Sequence, residues 1–520
     1  MAFYGLGTNP ILQTLKIQVP AVSQVWLADD ATGAGKLHSL KSWWDLIQED
    51  GRRYGYFVKP KKSWLIVKDP EKVDECKQIF AGSINITVEG KRHLGAVIGS
   101  EEFKDIYINE KINKWISNIQ KLSEIAQSQP HAAYAAYIHG EQHKYNYFTR
   151  TIANITENLQ PLDNVINNTF IPALFGDEIS DNERDIISLP VKLGGLGIRK
   201  VSNNSNHAYE TSQKVTKPLC QQIHVQSDEL PNVTEVKKAK TIAIDTHKAR
   251  EKAIHDSILE VQNPRMKRTL GQLSEQGASS WLGALPIESL GLNLNKGEFQ
   301  DALAIRYNRT IKNLPSNCPC GALFTVSHAL KCHLGGFVNA RHDIIRDEEC
   351  KLLKAVCNDV QSEPLLQPVI NRQGYKKTAK LEDDVRLDAK ARGFWRDGQV
   401  AYFDVCVTNA DCMSQQNTSV KSILRGHEMR KKLYYNRRIM EVEHGSFTPL
   451  IFTTTGVMGH ECSIFHKTLA QKLSKKRKER YEDAVRYLRV RFSFLALKST
   501  LLCLRGSRAT FRDSELKYVS

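Results

Sequence analysis

The sequence predicts a multidomain α+β chain, and three observations lead there. Its 520 residues exceed one ordinary domain, so two to four compact units are expected. A long stretch of helical periodicity, residues 101–309, lies between two segments of short strand-like runs. A cysteine cluster, Cys318, Cys320 and Cys332, follows a boundary expected near residues 314–317. Hydrophobic and charged contents of 41% and 25% are those of a globular chain. The most apolar stretch, residues 492–504, is interrupted by Ser493, Lys498, Ser499 and Thr500, which excludes a membrane span. The opening MAFYGLGTNPILQTL lacks the basic start and small-residue cleavage site of a secretory signal. With eleven cysteines, most of them scattered, and no such signal, a reducing compartment and one metal site are expected, not a disulfide framework.

In chain order, residues 2–15 read as an apolar helix and residues 24–27 as a strand ending at Asp29-Asp30, with ATGAG as the turn of a hairpin. Residues 36–49 read as an amphipathic helix with Leu37, Leu40, Trp43, Trp44 and Leu46 on its apolar face. Strand-like runs follow at 63–67, 84–88 and 93–98. The helical block contains a glycine-rich break, LPVKLGGLGI at 189–198, suited to tight turns and close backbone approach. Residues 203–206 and 226–232 read as loops, and 236–259 as an exposed charged helix. The remainder reads as a helix (341–360), a loop to about residue 382, strands (385–394 and 399–408), a helix (422–441), a strand (449–455) and terminal helices. The net charge of +16 favours a polyanionic partner, because Lys and Arg that neutralise phosphates release condensed counterions.

Asp29 and Asp30 at a strand end are the first chemical signal, since two-metal phosphoryl transfer needs carboxylates clustered on a tight turn. WLADDATGAGKL resembles the aspartate-pair palm motif of reverse transcriptases, with Leu27 where an aromatic residue is usual. GYFVKPKKSWLIV resembles the next palm motif, which implies that Lys62 lies near the incoming nucleotide's phosphates. VEGKRHLGAVIG resembles the primer-grip hairpin, and LPVKLGGLGI a thumb signature of non-LTR retrotransposons. The resemblance implies a palm from its aspartate motif onward (1–100) and a mainly helical thumb and connector (101–313). The family uses a further aspartate on an earlier strand, yet no Asp or Glu precedes Asp29. The expectation is a truncated element whose Mg²⁺ site at Asp29 and Asp30 is incomplete, and which does not polymerise DNA alone.

Cys318, Cys320, His328 and Cys332 have the spacing C-x-C-x7-H-x3-C, from which three thiolates and one imidazole can close a tetrahedral zinc site. His333 is an alternative ligand. The cluster resembles the CCHC knuckle (314–340) that precedes the endonuclease of retrotransposons with a restriction-like endonuclease. GGFVNARHD strengthens the match, and Arg341 and His342 are carried over as nucleic-acid contacts.

Residues 385–408 read as a hairpin with Asp388 in one arm and Asp404 in the other, flanking a WRDG turn. Metal-dependent DNA hydrolysis needs two such acids on Mg²⁺ and a cation to stabilise the charged phosphorane. Strand alternation puts residues 404 and 406 on one face. The pattern resembles the PD-(D/E)xK nuclease core (341–520), with Leu387 in place of the usual proline and Cys406 in place of the lysine. The resemblance implies that the lysine is displaced to the next helix, where Lys431 and Lys432 stand with Tyr435 one turn on. Lys432 is preferred. Glu348 or Glu349 is a candidate for an additional metal or water contact.

The basic run Lys475, Lys476, Arg477 and Lys478, with Arg505 and Arg508, reads as a phosphate-binding tail or a nuclear import signal. The resemblance implies Mg²⁺ and Zn²⁺ as cofactors, target DNA and element RNA as partners, and a nuclear location with a cytoplasmic ribonucleoprotein stage. It also implies nicking for target-primed reverse transcription. The alternatives are a non-catalytic, host-co-opted nucleic-acid-binding protein and, more remotely, a recombinase with a tyrosine nucleophile at Tyr434 or Tyr435.

Overall fold

The computed structural model describes residues 2–227, 229, 232–370, 373–412 and 415–508. The protein is α+β and mostly helical, with small two-stranded sheets and a four-stranded mixed sheet. No helix among the described residues is long and apolar enough to cross a membrane. The chain divides into two compact units, each assembled from separate segments. One comprises Met1–Lys121, His139–Ile166 and Lys200–Ile254; the other comprises Leu122–Ile138, Asn167–Arg199 and His255–Ser520. The expected helical block 101–313 is therefore shared between the two units and forms no domain of its own.

In the first unit, the helices Ala2–Gln18 and Leu37–Asp50 bury Ile11, Leu15, Trp43 and Ile47 together with Val22. The hairpin between them turns earlier than expected. Ala28 adopts φ +55° and Leu27 pairs with Asp30, so Asp30–Ala34 is the return strand and not part of a turn. The strands Trp64–Ile66 and Asn85–Thr87 pair in parallel. The run at 93–98 is a tight hairpin of Gly90–His93 and Ala96–Gly99, turning at Leu94 (φ +47°) and Gly95 (φ +83°). Residues 203–206, expected to be a loop, lie inside the helix Val201–His224. Its first turn is stabilised from outside, because the Asp163 carboxylate accepts from the Val201 and Ser202 amides at 2.8 and 2.9 Å. A cap supplied from elsewhere in the chain leaves no local signal. Of the expected loop 226–232, residues 228, 230 and 231 lie outside the described residues.

In the second unit, LPVKLGGLGI wraps closely on itself. A Cβ at Gly195 would sit 1.9 Å from the Leu189 carbonyl oxygen, so only glycine fits. The buried Arg306 donates to the Gly194 and Gly195 carbonyls at 3.0 Å each.

The mixed sheet has the order Ser446–Thr453, Val400–Thr408, Ala389–Arg392, Asn358–Ser362. The first pair is parallel and the rest antiparallel. The strand Asn358–Ser362 occupies a stretch read as helix end and loop; the preceding helix runs Phe337–Val356 and stops before it. The strands of the parallel pair, Ser446–Thr453 and Val400–Thr408, are nearly continuous apolar runs because helices cover both faces. Phe403, Val405, Leu450 and Phe452 point into a core shared with Phe337–Val356, His460–Arg477 and Tyr481–Arg505. Tyr402, Cys406, Phe447 and Ile451 point the other way, toward the helix Val420–Glu441. By the same alternation, Asp404 faces that helix.

Candidate functional site

Asp404 lies in the middle of the strand Val400–Thr408 and Asp388 directly before the strand Ala389–Arg392, so strand pairing brings the two arms together. The Asp388 Oδ2 accepts from the Val405 amide at 2.6 Å, beside Asp404. It also lies 3.1 Å from the His342 Nε2, carried in by the helix Phe337–Val356. From the opposite helix, the Lys431 Nζ pairs with the Asp404 Oδ2 at 2.6 Å. Side-chain exposure rises from 7% at Asp404 through 14% at Asp388 and 24% at Lys431 to 31% at His342. The carboxylates therefore form the floor of a site that opens past the lysine and the histidine.

Burial sets the electrostatics. It pushes the Asp404 carboxyl up to about 6, with Lys431 opposing and Asp388 adding to the rise. Burial pulls the Lys431 ammonium down, but the Asp404 carboxylate overrides it and the group titrates above its usual range. Both partners shift upward because desolvation weighs more on the deeper carboxylate than on the more exposed ammonium. For His342, burial likewise pulls down, and Asp388 and Asp343 outweigh it to hold the imidazole at about 9. Cys406 has its thiol pushed up by burial, which keeps it neutral in the position where the resembling nucleases carry a lysine. His427 lies close by, with Nδ1 4.0 Å from the Cys406 sulfur and Nε2 3.2 Å from the Thr408 hydroxyl oxygen.

Several expectations are corrected by these placements. Lys432, the preferred lysine, turns away and pairs with Glu461 at 2.5 Å; Lys431 is the one on Asp404. The periodicity carried the answer, since Leu424, Glu428, Lys431 and Tyr435 share one stripe of the helix, the first two buried and the last two half-buried. Tyr435 stands beside this lysine, its ring centre 5.8 Å from the Nζ. Glu348 is bound by Arg491 at 2.9 and 3.0 Å, and Glu349 is sealed against His466 at 2.6 Å, so neither reaches the acid pair. His342 takes that place, and it shares a buried stripe with Ile345 and Glu349.

The expected nucleic-acid contacts divide. Lys475, Lys476, Arg477 and Lys478 are exposed at the end of His460–Arg477. Arg341 is buried and donates to the Leu330 carbonyl at 3.3 Å. Arg505 is committed to Asp301 through two bonds of 2.6 and 2.7 Å. Arg508 is buried, donating to the Ala329 and Cys503 carbonyls and lying over Phe324 and Phe337. Arg341 and Arg508 are buried, and Arg505 is held by the Asp301 carboxylate and the Lys312 and Asn313 carbonyls, so the three fasten the cysteine cluster and its neighbours internally.

The cysteine-histidine cluster is assembled by a small turn and a short helix. Gly321 at φ +91° closes the loop, its amide donating to the Cys318 carbonyl. Thr325 caps Val326–Ala329, which carries His328. The ligand atoms of Cys318, Cys320, His328 and Cys332 all lie within 4.8 Å of one another. The Cys318–Cys332 and Cys320–Cys332 sulfurs are 3.8 and 4.0 Å apart, and the Cys320 sulfur is 3.4 Å from the His328 Nε2. A tetrahedron built on metal–sulfur bonds of about 2.3 Å has edges of about 3.8 Å. The four residues therefore fit a metal ion such as zinc. Among the described residues this is the single group of three or more such ligands gathered closely enough. Asp388 and Asp404 supply only two such ligands.

Asp29 and Asp30 are both exposed at the hairpin turn, with the Tyr56 hydroxyl donating to the Asp29 carbonyl at 3.0 Å. Lys62 is exposed in the turn Pro60–Lys62. No protein-family model matches the chain, and no curated protein matches it.

Proposed function

We propose that this chain carries a metal-dependent DNA-nicking centre, part of a non-LTR retrotransposon polyprotein of the restriction-like-endonuclease type. The observation that carries the reading is the convergence of Asp388, Asp404 and Lys431, each brought from a different element, with Asp388 and Lys431 more exposed than Asp404. Supporting it are the element order of helix, three strands, helix and parallel strand, and the metal-fit knuckle just before it. When bound, Mg²⁺ would supply Lewis-acid activation of water and of the scissile phosphate. Asp388 and Asp404 would hold it, the Val405 amide orienting Asp388 through its hydrogen bond. Lys431, fixed by Asp404, supplies a positive charge where the pentacoordinate phosphate gathers negative charge. His342 holds the same Asp388 oxygen from the more exposed side.

Relaxation of supercoiled plasmid in Mg²⁺, and its loss in chelator, tests the reading. Asp404→Asn should abolish nicking while DNA retention in a filter assay persists. Retention without any Mg²⁺-dependent nicking by the unaltered chain would instead favour a non-catalytic nucleic-acid-binding protein, a role the exposed run Lys475 to Lys478 would serve.

A further inference from the structure

The unit that holds the acid pair also contains a concavity of about 770 Å³. It is walled by the helices Val420–Glu441, His460–Arg477 and Tyr481–Arg505. Its volume falls in the range of sites that enclose a small organic ligand. The lining is largely apolar, with Met458 and Val485 half-buried at its surface, Leu424, Val457 and Leu488 buried behind them, and Met429 exposed at the rim. At the inner wall His466 holds its Nε2 against Glu349 and leaves Nδ1 without a partner among the described residues. The charged residues sit around this apolar lining.

Those charges are unbalanced. The three acidic residues of the lining are each engaged. Glu275 pairs with Lys421 at 3.3 Å and Glu461 with Lys432 at 2.5 Å. The Glu428 carboxylate accepts from the Glu461 amide at 2.9 Å and so caps His460–Arg477; a Cβ at position 459 would lie 2.3 Å from its oxygen. Arg425, Lys467 and Arg489 remain as further cations of the lining, the first two exposed at its rim. An apolar lining beneath a positive rim suits a ligand that joins a flat stacking face to a phosphate, as a nucleotide does.

We propose that this concavity holds one unstacked nucleotide of a bound strand, its base against Met458 and Val485 and its phosphate at Arg425 and Lys467. The position makes chemical sense. Lys431 and Lys432 are neighbours on one helix, the first on Asp404 and the second lining the concavity, so a single strand can serve both. The choice of nucleic acid as ligand rests on the nuclease reading, but occupancy does not depend on cutting.

The test uses the full chain carrying Asp404→Asn, in chelator, so that cutting plays no part. Oligothymidylate of about twenty nucleotides is bound, crosslinked with far-ultraviolet light, and the modified peptides are mapped by mass spectrometry. Crosslinks are expected within residues 425–432 and 457–467. The variant Arg425→Ala/Lys467→Ala should lower them about fivefold, with total binding changed less than about twofold. Both substituted residues are exposed, and an unchanged melting temperature verifies the fold. Arg425→Lys/Lys467→Arg should restore the signal. Absence of crosslinks in these segments, or crosslinks indifferent to the alanine pair, would overturn the proposal. Labelling by free thymidine monophosphate but not by the strand would overturn it too, assigning the concavity to a free nucleotide. If plasmid nicking works and these crosslinks are missing, only the present inference falls; if nicking fails and they appear, only the cutting reading falls.

Discussion

Each of the two units contains a hairpin with two aspartates, and the two hairpins place them very differently. In the first unit Asp29 and Asp30 are adjacent in the chain, so they fall on a turn, exposed to water. In the second, Asp388 and Asp404 come from separate arms, and strand pairing carries them inward to a floor where Lys431 and the Val405 amide receive them. The difference teaches that two acids become chemistry through their surroundings. Water screens the exposed pair, whereas burial leaves the charge of the enclosed pair to be balanced by Lys431, His342 and the Val405 amide.

The sharpest way to break that comparison is to neutralise each pair in turn. Asp388→Asn or Asp404→Asn should lower Mg²⁺-dependent plasmid nicking by on the order of a thousandfold. Asp29→Asn with Asp30→Asn should leave it within about twofold. Equal losses from both would remove the contrast. The next effect separates neighbours. Lys431→Ala should reduce nicking by about a hundredfold through lost charge stabilisation, and Lys432→Ala, which frees Glu461 far from the acid floor, by less than about fivefold. The reverse order would reinstate the lysine preferred from sequence.

The knuckle gives a third test, on stability. Cys332→Ser removes a ligand from the centre of the sulfur cluster. Bound zinc measured after gel filtration should fall from about one per chain toward none, and the melting temperature by several degrees. A chain that purifies without zinc and melts unchanged would make the cluster a set of buried thiols.

Much of this was legible beforehand, for identifiable reasons. The four clustered residues are close in sequence, so spacing could name the three cysteines and leave the histidine as His328 or His333, which the structure decides for His328. Asp388 and Asp404 were legible because strand alternation and a short hairpin bring them together. The strand Asn358–Ser362 was not, since NDVQS is polar and mostly exposed at a sheet edge, with no alternation to detect. The helix start at Val201 was hidden because Asp163 caps it from another helix. The arginines were misread for a related reason. Sequence counts donors but does not see acceptors, and Asp301 and the Ala329 carbonyl take Arg505 and Arg508 inside the protein.

Two histidines of the second unit extend the lesson to a smaller effect. His342 has Asp388 beside it and is held at about 9 despite burial. His131 is 2% exposed, stacks on Phe299 at 5.4 Å, and accepts from the Leu294 amide at 3.2 Å through Nδ1. With burial dominant and Lys498 adding to it, His131 is pulled down to about 4. Its native state therefore excludes a proton that the unfolded chain accepts near the ordinary value of 6.5. Between these values the unfolded chain binds more protons, so stability rises with pH: it is full above about 6.5 and is progressively lost as pH falls toward 4. The loss from this residue should be on the order of 2 kcal/mol. Urea titrations of the chain and of His131→Phe at several pH values would isolate it. The substituted chain should lose that part of the slope, because phenylalanine keeps the stacking on Phe299 and takes up no proton. An identical slope in both would mean that the native His131 already shares its pocket with a proton, and that burial without a counter-ion is weaker here than at Asp404.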